Sequence, residues 1–358
     1  MSKEKHVFII GAGASVELDF PDGQKLAAKI GPMVTFSHDP AYSERGDRHH
    51  IWDAITHFEV RRNISHDLTR YVEAGERIAR GMPQAPSIDS YMASNAADTD
   101  VDLIGRLAIV RAILVAESQC PLVIKRNDRG VAFMDFGSVG NTWLNRFWHR
   151  LANGCVVDDL AAKLRKCTLV IFNYDRCVEQ FLYHAIQNYY NVKPDVAQTI
   201  MGNLNIYHPY GTVGRLPWQP GDGVAVKFGQ AEIGPADLLH LAQNNIKTIT
   251  EQITTPSVEV ANIRSALREA TMVVSLGFSF QPQNLQILAQ SLTDPEISFG
   301  ARFYATALDM SEPDREVVKS DLMTVRRRFH GIDVNTYNVA NATCVKLFDS
   351  YRKSLEIR

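Results

Sequence analysis

Short unbroken apolar runs separated by amphipathic stretches mark this chain as alternating strands and helices. The first run, Val7-Phe8-Ile9-Ile10, leads directly into Gly11-Ala12-Gly13-Ala14-Ser15, and so short a continuous run bounded by a glycine turn reads as a strand buried on both faces. Further strands are predicted at 168–172, 204–207, 272–277, 302–308 and 332–337. Helices are predicted at about 24–30, 156–166, 176–189, 257–269, 282–292, 312–329 and 342–355. Residues 38–150 lack convincing strands. They hold a polar stretch from Ser43 to His50, an amphipathic one from Ile64 to Ile78 and an apolar one from Val101 to Ala116. Trp143, Leu144, Phe147, Trp148 and Leu151 then form one helical apolar stripe. The expectation is an α/β fold, a parallel sheet with helices on both faces. Residues 1–37 and 151–358 would form it, with 38–150 as a helical insertion.

Composition narrows the class. At 358 residues and 45% hydrophobic content, the chain buries a large core and exceeds one average domain. A formal charge of −2 gives no electrostatic case for nucleic acid as a direct partner. The Val101–Ala116 segment carries Arg106 and Arg111 and is too short to span a bilayer, so it reads as a core helix and no membrane partner is expected. The charged start, Met1 to His6, reads as having no signal peptide. Five scattered cysteines without a Cys-x-x-Cys pair argue against structural zinc and disulfides, and for a cytoplasmic protein without a metal.

In parallel sheets, ligands bind at the carboxyl ends of the strands, and polar residues gather at those ends here. Asn173-Tyr174-Asp175 follows one strand, His208-Pro209-Tyr210-Gly211-Thr212 another, Gly277-Phe278-Ser279 a third and Asp309 a fourth. Each has a plain structural alternative. Asn173 or Asp175 caps the following helix, His208 is a turn residue, Gly277 and Ser279 are turn chemistry, and Asp309 with Ser311 caps a helix. The Gly-x-Gly turn either admits a phosphate to the backbone or packs a helix closely on a strand. A Rossmann dehydrogenase fits poorly. The third fingerprint glycine is missing, Pro21 interrupts the expected helix, and Asp39 after Met33-Val34-Thr35-Phe36 is the only acidic candidate for a second strand end.

The ordered set Gly11–Ser15, Phe20-Pro21-Asp22-Gly23, Asn173-Tyr174-Asp175, His208–Gly211 and Gly277-Phe278-Ser279 resembles sirtuins. It is closer to the prokaryotic sirtuin-like NAD-consuming proteins of anti-phage defence. That resemblance implies a Rossmann-like sheet with NAD+ as substrate across the strand ends. Gly11, Ala12, Gly13 and Ser15 would hold the diphosphate, and Asp22 would join the dinucleotide contacts. Gly277 and Ser279 would lie on the phosphate and adenine-ribose side, and Asp309 would bond the adenosine ribose. Asn173 would position the attacking group, Asp175 would lie beside the nicotinamide ribose, and His208 would be general base. Aligned on Gly211, Tyr210 takes the histidine's place instead. The chain lacks the four-cysteine zinc module of protein-deacylating sirtuins and has Gly23-Gln24 after the Pro-Asp pair, so deacylation is the weaker implication.

The resemblance therefore implies an NAD+ glycohydrolase releasing nicotinamide and ADP-ribose, an effector of defence. The alternative is a non-catalytic NAD or ADP-ribose sensor or scaffold. A final helix at 342–355 is expected to leave no separate sensor domain, so control would come from a homo-oligomer or from a HerA-like ATPase or Argonaute-type partner. Arg326-Arg327-Arg328 reads as a solvated helix end, and the loop 209–223 as either a lid or a rigid turn.

Overall fold

The structure, a computed structural model, describes residues 4–36, 46–62, 68–254, 257–289, 302–320 and 337–357. In chain order the strands are β1 (His6–Ile10), a small hairpin of β2 (Lys125–Arg126) and β3 (Ala132–Phe133), then β4 (Cys167–Ile171), β5 (Asn205–Tyr207), β6 (Met272–Leu276), β7 (Arg302–Thr306) and β8 (Tyr337–Ala340). All but the hairpin form one six-stranded sheet in the order β5-β4-β1-β6-β7-β8, paired in parallel throughout. β1, β4 and β6 are buried along their whole length, as continuous apolar runs require.

This is a Rossmann-like order, and its direction reverses between β1 and β6. Ile10 pairs with both Ile171 and Leu276, so the three central strands end flush. Their following turns consequently lie side by side.

Helices cover both faces of the sheet. The helix Trp143–Ala152 buries its aromatic stripe on the strands, with Phe147 edge-on to Phe8 at 4.8 Å. The helix Thr99–Gln119 is buried nearly all round, yet it carries two arginines. Arg106 is paired to Asp102 (2.8 Å) and Glu251 (2.6 Å), and Arg111 to Asp47 (2.8 Å) and Glu232 (3.1 Å). Among the described residues, no helix is long and apolar enough to cross a membrane.

The stretch Met33 to Phe36, weighed only for the dehydrogenase reading, is no strand: Met33 ends the helix Gly23–Met33, and Val34 to Phe36 lie outside any strand. Their apolar side chains serve helix packing instead: Phe36 meets Trp52 at 5.2 Å, and a Cβ on Gly75 would lie 2.0 Å from the Val34 carbonyl oxygen. The β2–β3 hairpin lies within the stretch read as strand-free. The helices Pro194–Met201 and Pro235–Asn244 also went unread, although each opens on a proline suited to a first helical position. Asp39, Arg326-Arg327-Arg328, residues 332–336, and the predicted helices beyond 289 and 320 lie outside the described residues.

Arg176 joins three separate regions. It is 1% exposed and meets the 0% exposed Glu117 through Nε (3.0 Å), Nη2 and its own backbone N–H (3.2 Å). Its Nη1 donates to the carbonyls of Val226 (2.7 Å), Gly214 (3.4 Å) and Arg215 (3.4 Å). Arg176→Met, which strands the Glu117 charge, should cost about 3–5 kcal/mol in urea unfolding, and Arg176→Met with Glu117→Leu should recover part of that. A double variant as unstable as the single one would mean that the carboxylate is not the cost.

Candidate functional site

The glycine turn and the end of β6 touch backbone to backbone. Gly11 N–H donates to the Leu276 carbonyl and Gly13 N–H to that of Gly277, both at 2.9 Å. A Cβ on Gly11 would lie 2.5 Å from the Gly277 oxygen, and one on Gly277 only 2.0 Å from the Ala14 nitrogen. Gly277 also has φ +55°, a left-handed conformation that favours glycine. Close packing alone thus requires these glycines. It also spends the N–H groups of Gly11, Gly13 and Ala14 inside the turn, where the resemblance placed a diphosphate. Ala12 is half-buried and Gly13 is exposed.

Behind this turn lies a buried side-chain network. The β1–β4 ladder continues for one further bond, Phe172 N–H to the Ile10 carbonyl at 2.8 Å, which places Asn173 against the glycine turn. Asn173 Nδ2 donates to the Gly11 carbonyl (3.1 Å) and to Ser15 Oγ (2.9 Å). Ser15 Oγ in turn donates to Asp175 Oδ2 at 2.8 Å. Asp175 Oδ1 accepts from the Cys177 N–H (3.1 Å) at the start of the helix Cys177–Tyr190, from one position before the N-cap residue Arg176. All three side chains are buried. Among the described residues, Asn173 Oδ1 has no hydrogen-bond partner. A buried acceptor without a donor costs about 1–3 kcal/mol, which a ligand hydroxyl or a water would recover.

His208 is engaged on both ring nitrogens. Nδ1 lies 3.1 Å from the backbone carbonyl of Asn173, and Nε2 lies 2.8 Å from Glu179 Oε1. The Asn173 carbonyl can only accept, so Nδ1 donates, and Nε2 is held in a hydrogen bond with the Glu179 carboxyl group. Burial pulls the His208 pKa down, but Glu179, with the Asn173 carbonyl and Asp175, outweighs it and leaves the value raised. The imidazole therefore offers no free lone pair for a base, and it holds Asn173 from behind. Glu259 Oε1 completes the clamp by accepting from the His208 backbone N–H at 2.6 Å.

The other expected residues divide. Asp22 caps its helix through Lys25 N–H at 2.8 Å, and Ser311 caps the helical stretch 312–320 through Asp314 N–H at 3.2 Å. Asp309 is exposed at φ +59° and takes no part in that cap, its N–H donating to Asn341 Oδ1 (2.9 Å). Gly277 N–H donates to Thr306 Oγ1 (2.7 Å), and Ser279 is exposed. Tyr210 is a buried core residue, edge-on to Phe172 with its hydroxyl on Asn284, and burial pushes its pKa up. The loop 209–223 is pinned by Arg176 and by Trp218, which stacks on Tyr183 at 4.3 Å and 7°. It is a fixed turn.

Sequence reasoning missed Glu179, whose pairing spans 29 positions. Its Oε2 has no partner, and it lines a cavity of about 740 Å³ with Arg215 and Trp218. No protein-family model matches the chain, and no curated protein matches it.

The raised His208 value has a fixed sign in stability. Its contribution is fully present below the unfolded value of 6.5 and is lost as pH rises through the folded one. The stability advantage of wild type over His208→Gln, measured by urea unfolding from pH 5 to 9, should therefore shrink as pH rises. An advantage that grows with pH would mean a neutral imidazole.

Proposed function

We propose that the ends of β1, β4 and β6 bind NAD+ and that water cleaves its nicotinamide–ribose bond there, giving nicotinamide, ADP-ribose and a proton. The carrying observation is Asn173, whose amide is held by Gly11 and Ser15 while its buried Oδ1 lacks a donor at the reversal point of the sheet. Nicotinamide leaves as a neutral molecule from a cationic ring, so little acid catalysis is needed. The demand is for a nucleophile held on the open face of an oxocarbenium-like ribose. Asn173 Oδ1, accepting from a water or a ribose hydroxyl, meets that demand. Ser15 and Asp175 orient the amide, and His208, held against Glu179, is a positioning residue acting through the Asn173 carbonyl. The attacking water then loses its proton to solvent.

A second reading has one specific observation in its favour. With both His208 nitrogens engaged, the same cluster suits a non-catalytic NAD or ADP-ribose sensor or scaffold. The defence role, the homo-oligomer and an activating HerA-like ATPase or Argonaute-type partner rest on the resemblance alone, and the cytoplasmic location on the scattered cysteines.

Chromatographic assay of nicotinamide and ADP-ribose, with the protein alone and with the product of the neighbouring gene, separates the readings. Wild type should release both products, and Asn173→Ala should lower the rate by about 100-fold or more, as loss of one preorganised polar contact does. His208→Gln should lower kcat with little change in KM. NAD+ bound without release would replace hydrolysis by the sensor reading, and neither binding nor release would overturn both.

A further inference from the structure

A second cavity, of about 780 Å³, shares no residue with the strand-end cluster. It lies where the helix Trp143–Ala152 ends, between Lys163, Tyr189 and the segment that follows the helix Cys344–Ser350. Its walls are strongly cationic. Arg150, Arg352, Lys353 and Lys163 line it together with His149, against the single carboxylate of Glu356. That is a local excess of positive charge in a chain whose formal charge is −2.

The nearby groups leave much of this charge available. Arg146 is taken up by Asp349 at 2.9 Å. Lys163 Nζ donates to the carbonyls of Leu151 and Asn153, both at 3.2 Å, and so covers the helix end that would otherwise repel an anion. Arg150 Nη2 donates to the Phe348 carbonyl at 3.1 Å, while its Nε is buried without a partner. Burial, then the crowd of like charges, holds His149 and Arg150 below their ordinary pKa values, with Arg352 acting on both. An anion in the cavity relieves that repulsion.

Tyr189 adds a flat surface beside the cations. It is 59% exposed and held edge-on by Trp148 (5.6 Å) and Tyr190 (4.9 Å). An exposed aromatic ring fixed beside converging cations suits a base joined to phosphates. The cations converge on one concavity, and the overall negative charge gives no long-range pull on a polyanion. A small ligand fits this better than a nucleic acid.

We propose that this cavity binds a nucleoside diphosphate, its phosphates on Arg150, Arg352 and Lys353 and its base on Tyr189. Titration calorimetry of the full chain with ADP, inorganic pyrophosphate and a single-stranded oligonucleotide tests this. ADP should bind more tightly than pyrophosphate. Arg352→Glu with Lys353→Glu should weaken ADP at least about tenfold, as two attractive contacts become repulsive. Tyr189→Ala should bring ADP down to the affinity of pyrophosphate and leave pyrophosphate unchanged. The neutral pair Arg352→Gln with Lys353→Gln should weaken ADP in the same direction, which guards against a folding defect in the reversal. Unchanged ADP affinity in both charge variants, or no ADP binding, overturns the proposal. An oligonucleotide that binds more tightly than ADP and loses affinity in the same variants replaces it with nucleic-acid binding.

Discussion

One buried charge pair underlies the arrangement of the site. Arg176 stands directly after Asn173-Tyr174-Asp175, and its guanidinium meets Glu117 on the long insertion helix while also gathering carbonyls from the loop after β5. Breaking such a pair leaves a charge in a region without solvent, which is far costlier than the pair itself is stabilising. The insertion, the end of β4 and the loop that follows His208 are thus committed to one arrangement. Tyr174 repeats the device on a smaller scale, its hydroxyl donating to Asp89 of the helix Ile88–Ser94.

Within that frame the strand ends satisfy themselves almost completely. The glycine turn and Gly277 interlock through backbone, Ser15 bridges Asn173 and Asp175, and His208 closes the rear against Glu179. Among the described residues, Asn173 Oδ1 and Glu179 Oε2 are the exceptions in this network, buried acceptors without a donor, and Asn173 Oδ1 is the one beside the glycine turn. An amide fixed by two bonds through its nitrogen cannot rotate to find a partner, so the partner must come to it. The same rigidity gives the histidine a supporting place: with both ring nitrogens engaged, it orients its neighbours.

The fold was legible where its signal is local. Val7-Phe8-Ile9-Ile10 and the runs ending at Ile171 and Leu276 are strands because only a sheet covered on both faces buries such segments. The run ending at Phe36 carries the same apolar signal and is no strand, since the close approach of Gly75 lets it bury against helices instead. Candidate site residues were legible by type and by position at strand ends, but their partners were not. Ser15 and Asp175 are 160 positions apart, and Arg176 and Glu117 59 apart. His208 was expected as a neutral base, and the partner on its Nε2, Glu179, lies 29 positions away in sequence, beyond the reach of a local reading.

The most direct test of the account is a crystal structure with a carba-NAD analogue that cannot lose nicotinamide. The account predicts a dinucleotide across the ends of β1, β4 and β6, with a ribose hydroxyl or an ordered water within hydrogen-bond distance of Asn173 Oδ1. An analogue bound elsewhere, with Asn173 Oδ1 satisfied by another protein group, would contradict it.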